Sequence, residues 1–166
     1  WGIVTQRYAY ETFSEFGHTD LGLQALLQRQ FPSVANWINQ GAPAHPEIGA
    51  TTLWETWGSN ATGPCSMCPD SFNHIMWGTF GAWLYSDVAG LGHAAGGNAR
   101  RGWKSLFLKP AAFAHADVTY ASASVDTPIG LASISWYQEP QNLPVWYGKA
   151  SQGTPSCSRR ANQASQ

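Results

Sequence analysis

The feature that most constrains the fold of this 166-residue chain is a change of hydrophobic periodicity at a Gly- and Ala-rich segment, residues 92–102. Before this segment, apolar residues recur at helical spacing in three stretches, 4–16, 21–30 and 72–91. After it, short runs that favour extended structure alternate with turn signals, and we expect strands at 103–110, 117–125 and 130–137. Helices followed by strands predict a chain that is mainly α and then β.

Cap residues indicate where the predicted helices begin and end. Thr19 and Asp20 are good N-cap residues for the second helix, and Pro32 interrupts the pattern after it. The third helix has the strongest periodicity, with Ser71 as its cap and Gly90 and Gly92 at its end. We expect its apolar stripe to face the core: Phe72, Ile75, Met76, Thr79, Phe80, Trp83, Leu84 and Leu91.

Charge and hydropathy exclude several classes of partner. The net charge is -1 and the basic residues form no stripe, so the sequence argues against nucleic acid and anionic membranes. No apolar run reaches the length of about 18 residues that spans a bilayer. The sequence carries 9 Trp, 7 Phe and 6 Tyr beside only 11% charged residues, which is a heavy aromatic load.

One acidic residue, Glu55, lies among tryptophans in the sequence GATTLWETW at 49–57. Apolar neighbours and hydrogen bonds from hydroxyl groups, such as those of Thr51 and Thr52, tune the basicity of a carboxylate in opposite directions. Glu55 is therefore a candidate general base. The structural alternative is that Glu55 caps a short helix or pairs with a surface arginine.

The residues around Glu55 favour carbohydrate as the ligand. Trp54 and Trp57 offer flat apolar faces that match the C–H faces of a sugar ring. Asn73 and His74, in the sequence SFNH, can hydrogen-bond the hydroxyl-rich edge of the sugar. A surface or capping role stays open for His74.

Four blocks of the sequence, taken together and in order, carry a resemblance to a known family. They are GIVTQRYAYETFSEFGHTDLGLQALL at 2–27, FPSVANWI at 31–38, GATTLWETW at 49–57 and DSFNHIMWGTFGAWLYSDVAGL at 70–91. They resemble the C-terminal part of the catalytic domain of α-L-rhamnosidases, which are large inverting glycoside hydrolases built on an (α/α)6 barrel. The four blocks lie within residues 2–91, a little over half of the chain.

The resemblance implies a domain organisation and a substrate. Residues 1–95 would form the C-terminal portion of the (α/α)6 barrel, a partial barrel. Residues 100–150 would form a partial antiparallel β-sandwich, and 151–166 a polar, disordered tail. The substrate would be a rhamnose-containing glycoside. No metal or organic cofactor is implied, since protonation and water attack need only carboxylates.

The resemblance also assigns roles to single residues. The glutamate of the family's TTxWE block is the general base, which corresponds to Glu55, and the histidine of its SxNH block lies near the sugar, which corresponds to His74. Trp54 would contact the sugar as well, with Asn73 and Trp57 as further candidates. The family's general acid lies in an upstream block that this chain does not contain. We therefore expect an inactive fragment that needs the N-terminal part of the barrel.

A second motif points to different chemistry. The strings HPE at 45–47 and PCSMC at 64–68 spell H-x-E…P-C-x-x-C, the pattern of zinc-dependent nucleobase deaminases. Pro46 is unfavourable for the helix that this motif needs. A loop disulfide between Cys65 and Cys68, or two free thiols, is the structural alternative. A third possibility is a carbohydrate-binding remnant without catalysis.

The remaining polar residues give weaker indications of function. Asn60 opens an N-glycosylation sequon, and Asp70 either caps the third helix or lies near the catalytic cleft. Cys157 has no evident partner in the sequence. The histidines without metal-ligand spacing, to which we assign no chemistry, are His18, His93 and His115.

Overall fold

The computed structural model describes residues 1–40, 49–57, 71–93, 103, 106–111, 118–138, 144–150 and 157–160. The chain divides into two compact units, Trp1–Ala82 and Trp83–Gln166. Helices dominate the first unit and antiparallel strands the second, so the predicted order of helices and then strands is confirmed. Among the described residues, no helix combines the length and the apolar character needed to cross a bilayer.

The first unit begins with three helices, α1 (Ile3–Glu15), α2 (Thr19–Leu27) and α3 (Val34–Gln40). The first two were predicted at 4–16 and 21–30; α3 was not predicted. The expectation that Thr19 and Asp20 precede α2 was wrong. The helix starts at Thr19 with His18 as its N-cap, and the Thr19 hydroxyl donates to the Ser14 hydroxyl of α1 at 3.1 Å instead of capping.

The prediction of one continuous third helix was wrong. This stretch consists of a 3₁₀ helix (Ile75–Thr79), a short helix α4 (Phe80–Trp83) and a π-helix (Leu84–Ala89). Ser71 does not cap it, because the Ser71 hydroxyl accepts a hydrogen bond from the Asn73 amide while the His74 amide donates to the Leu53 carbonyl. The bond from His74 ties this stretch to the segment before Glu55, and the helix begins only at Ile75.

The predicted apolar stripe is only partly buried. Ile75 is 82% exposed and Phe72, which precedes the helix, is also exposed. The side chain that enters the core is Trp77, at 1% exposure. In the first unit it joins Trp37 and Trp54 in a buried cluster, against which Leu53 and Trp57 pack. This tryptophan cluster, Trp37, Trp54, Trp57 and Trp77, supports the polypeptide on both sides of Glu55.

The described residues of the second unit form two antiparallel sheets. Strands β1 (Leu91–His93) and β2 (Leu106–Leu108) form one. The other is a four-stranded meander in the order β3-β4-β5-β6. Its strands are β3 (Tyr120–Thr127), β4 (Gly130–Gln138), β5 (Pro144–Ala150) and β6 (Cys157–Arg160). Four residues of the tail that we expected to be disordered thus form β6, because they pair with β5 in register from Val145↔Arg160 to Gly148↔Cys157.

Gly90 ends the π-helix as predicted, with a positive φ of 84°. A Cβ at this position would lie 2.2 Å from the backbone nitrogen of Pro110, so only glycine fits here. Gly92 does not end a helix but lies in β1, against the ring of Phe107. Trp136 of β4 is fully buried and donates its indole N–H to the Val88 carbonyl at 3.1 Å, which links the sheet to the π-helix.

Candidate active site

Glu55 is held by a two-way exchange of hydrogen bonds with Ser71. The Glu55 amide donates to the Ser71 carbonyl at 2.8 Å, and the Ser71 amide donates to Oε2 of the Glu55 carboxylate at 2.9 Å. The side chain of Glu55 keeps 40% of its surface exposed. Within the described part of the chain, no hydrogen bond reaches the other oxygen, Oε1. One oxygen is thus fixed, and the side chain keeps exposed surface through which water can reach the carboxylate.

His74 lies beside the same carboxylate. Its Nδ1 is 4.0 Å from Glu55 Oε2, and its side chain is 34% exposed. The amide of His74 donates to the Leu53 carbonyl at 2.7 Å, which anchors the histidine to the segment that leads to Glu55. The structure therefore brings together the two residues to which sequence reasoning gave the main roles.

The other candidate residues have different surroundings. Asn73 is exposed next to His74. Trp54 is only 6% exposed, with its ring against Trp37 at a centroid distance of 5.8 Å and against Phe72 at 5.2 Å. Trp57 is half-buried. Trp54 is thus mainly a core side chain in this structure, whereas Trp57 keeps part of its surface exposed.

Trp57 also borders a pocket of about 160 Å³ in the first unit. Trp1 and Tyr10 contribute further aromatic wall, while Glu55 is not part of the lining. Burial raises the pKa of the Tyr10 hydroxyl, and a hydrogen bond with the Gln6 side chain opposes this shift. Tyr10 therefore lines the pocket as a neutral phenol.

Two contacts of Glu55 were missed by sequence reasoning. The Ser71 amide binds the carboxylate, although Ser71 was considered only as a helix cap. Trp77 donates its indole N–H to the backbone carbonyl of Glu55 at 3.0 Å, although Trp77 was not part of the predicted stripe. The first contact could not be read from the sequence, because every residue except proline has a backbone N–H. The position of Trp77, three residues after His74, was the signal that could have revealed the second contact.

Several expectations concern residues outside the described part of the chain. These are the HPE and PCSMC strings at 45–47 and 64–68, the sequon at Asn60, Asp70 and His115. The His93 side chain is not described either. Among the described residues, no group of three or more His, Cys, Asp and Glu side chains is arranged to hold a metal ion.

Comparison with known proteins identifies a matching family model and several relatives of this chain. The family model of the bacterial alpha-L-rhamnosidase 6 hairpin glycosidase domain matches residues 1–88, more than half of the chain. An alpha-L-rhamnosidase of Streptomyces avermitilis is 35% identical over 127 residues, which are 75% of this chain and 11% of that protein. One from Formosa agariphila is 34% identical over 135 residues, 80% of this chain and 13% of that protein.

The fold has a solved counterpart. The crystal structure of native alfa-L-rhamnosidase from Aspergillus terreus superimposes with a TM-score of 0.67 and 23% sequence identity, over 96% of this chain and 18% of that one. This likeness confirms the predicted fold class, helices of a partial (α/α)6 barrel followed by a partial β-domain. The chain spans less than a seventh of the length of the two curated relatives named above. Together, the family model and the sequence identities place the chain in the α-L-rhamnosidase family of six-hairpin glycosidases.

Proposed function

We propose that this chain supplies the general-base side of an inverting α-L-rhamnosidase site, with Glu55 as the base. The proposal rests on the hydrogen bonding and the exposure of the Glu55 carboxylate. Its Oε2 is fixed by the Ser71 amide at 2.9 Å, while 40% of the side chain stays open to solvent. A general base needs both properties, since it must hold a fixed direction and reach the water that it activates.

The chemistry follows from this geometry. In inversion, one carboxylate removes a proton from water on one face of the sugar while a carboxylic acid on the other face protonates the leaving oxygen. Glu55 would take the first role. His74, 4.0 Å from Oε2, would hydrogen-bond a hydroxyl of the rhamnosyl ring, and Trp54, Trp57 and Asn73 would complete the contact. The substrate would carry a terminal α-L-rhamnosyl residue, in keeping with the names of the relatives.

The general acid would come from outside this chain. The resemblance to α-L-rhamnosidases supports this, because the family's general acid lies in a block that this sequence does not contain. Large apolar side chains on the helices are also exposed, with Val4 at 70%, Phe16 at 71% and Ile75 at 82%. Such surfaces are typical of an element that packs against further structure. Both observations support a fragment that works only with the N-terminal part of the barrel.

One experiment tests the reaction and the fragment together. ¹H NMR of the first sugar released from an aryl α-L-rhamnoside should show the β-anomer, the product of inversion, when the intact enzyme that carries this segment is used. The chain by itself should release no rhamnose. Release of the α-anomer first would refute inversion. Turnover by the chain alone would refute the missing acid and would make Glu47 and Asp70 the first carboxylates to test.

A further inference from the structure

The backbone around Glu55 is held by three donors from two other segments of the first unit. The carbonyls of alternate residues, Leu53, Glu55 and Trp57, each accept one hydrogen bond. The donor to Leu53 is the His74 amide, at 2.7 Å. The other two donors are indole N–H groups, since Trp77 donates to the Glu55 carbonyl at 3.0 Å and Trp37 donates to the Trp57 carbonyl at 3.0 Å.

The two indoles are rigid donors because their rings are locked by packing. Trp77 is 1% exposed and Trp37 is 2% exposed. The ring of Trp57 lies 4.1 Å from that of Trp77 and 4.6 Å from that of Trp37, centroid to centroid, and the rings of Trp37 and Trp77 meet edge to face at 5.7 Å. Rings packed on several sides cannot change rotamer without opening a cavity. A buried hydrogen bond from such a ring fixes its acceptor in turn.

We propose that Trp77 is a positioning residue for Glu55, with Trp37 as a weaker second support. The Glu55 amide and carboxylate are bound by Ser71, and its carbonyl is bound by Trp77, so three of its polar groups are fixed. Trp77 acts at the residue itself, whereas Trp37 acts two residues later. Neither indole touches the reacting atoms. Their role is to keep the carboxylate where the attacking water must lie, and this inference rests on the proposed function of Glu55.

The test removes the indole N–H and leaves the ring. In the intact enzyme that carries this segment, Trp77 is replaced by β-(3-benzothienyl)alanine, in which sulfur occupies the position of the N–H. The expected result is a fall in kcat of roughly tenfold to a hundredfold with KM changed less than twofold, because a displacement of the base of about 1 Å impairs the chemical step. The same replacement at Trp37 should lower kcat less.

Trp136 is the matched control. It is fully buried and also donates its indole N–H to a backbone carbonyl, but the acceptor is Val88 in the second unit. Its replacement by the same analogue should leave kcat within twofold. An equal loss of kcat at Trp136 and Trp77 would show a general effect on folding and would overturn the positioning role.

A second measurement uses this chain directly, with ¹⁵N-labelled indoles. The exchange of the Trp77 indole proton with solvent deuterium should be slowed at least a hundredfold relative to free tryptophan, and rapid exchange would overturn the inference. Glu55→Gln distinguishes a failure of the positioning role of Trp77 from a failure of the proposed function of Glu55. If Glu55→Gln is inactive and the Trp77 analogue keeps full kcat, the positioning role fails alone. If Glu55→Gln keeps full kcat, the proposed function fails and the positioning role fails with it.

Discussion

Glu55→Gln separates a catalytic from a structural role because the change is small for the fold and large for the chemistry. The amide oxygen of glutamine can still accept the hydrogen bond from the Ser71 amide, which is 2.9 Å from Oε2 in the structure. The replacement removes the proton acceptor. In the intact enzyme, kcat should fall by about 10²–10⁴, the usual contribution of general-base catalysis. This corresponds to about 2.7–5.4 kcal/mol in the activation free energy.

The cost to stability should be smaller. The pair between Glu55 and His74 spans 4.0 Å, and the side chains are 40% and 34% exposed, so losing it should cost at most about 1 kcal/mol of the free energy of unfolding. Replacing a charge-assisted hydrogen bond from Ser71 by a neutral one should cost about 1 kcal/mol more. Both losses are small against the roughly 5–15 kcal/mol that hold a domain together. The variant should therefore stay folded and bind substrate with little change in affinity.

The assay combines initial rates on an aryl α-L-rhamnoside with a thermal melt of each variant. Glu11→Gln is the matched control, since it makes the same chemical change at an exposed position of α1. It should leave kcat unchanged. A kcat for Glu55→Gln within a factor of a few of the unmodified enzyme would refute the reasoning and leave Glu55 with a structural role only.

Two further predictions concern metal and backbone conformation. Under reducing conditions the chain should bind less than one equivalent of zinc, and replacing Cys65 and Cys68 with Ser should not unfold it; tight stoichiometric zinc binding would favour the deaminase instead. Gly90→Ala should destabilise the second unit by several kcal/mol in a denaturant titration, because the added methyl meets facing backbone at 2.2 Å. Gly17→Ala, at a similar φ of 80° with no described atom within 4 Å of the added methyl, should cost only about 1–2 kcal/mol, and equal losses would contradict the steric explanation.

The local sequence was sufficient to predict the elements that depend on neighbouring residues. Periodicity predicted α1 and α2 to within a few residues, and alternation with turn residues predicted β3 and β4. Gly90 was correctly expected to end a helix, because a left-handed residue after the last turn is a local requirement. The choice of Glu55 and His74 as the main candidates came from the motif blocks, which carry the resemblance to α-L-rhamnosidases.

Tertiary contacts decided what the local pattern could not. The helix expected from Phe72 starts only at Ile75, and His74 before it bonds to the segment before Glu55, which lies far away in sequence. Trp77 is buried and Ile75 is exposed, because Trp77 packs into the tryptophan cluster. This cluster exists only in the folded unit. β6 forms in a polar stretch because β5 offers it a partner. The sequence by itself thus determined α1, α2, β3, β4 and the helix end at Gly90. The tertiary structure decided which groups hold Glu55 in place, because hydrogen bonds between distant segments exist only once those segments meet.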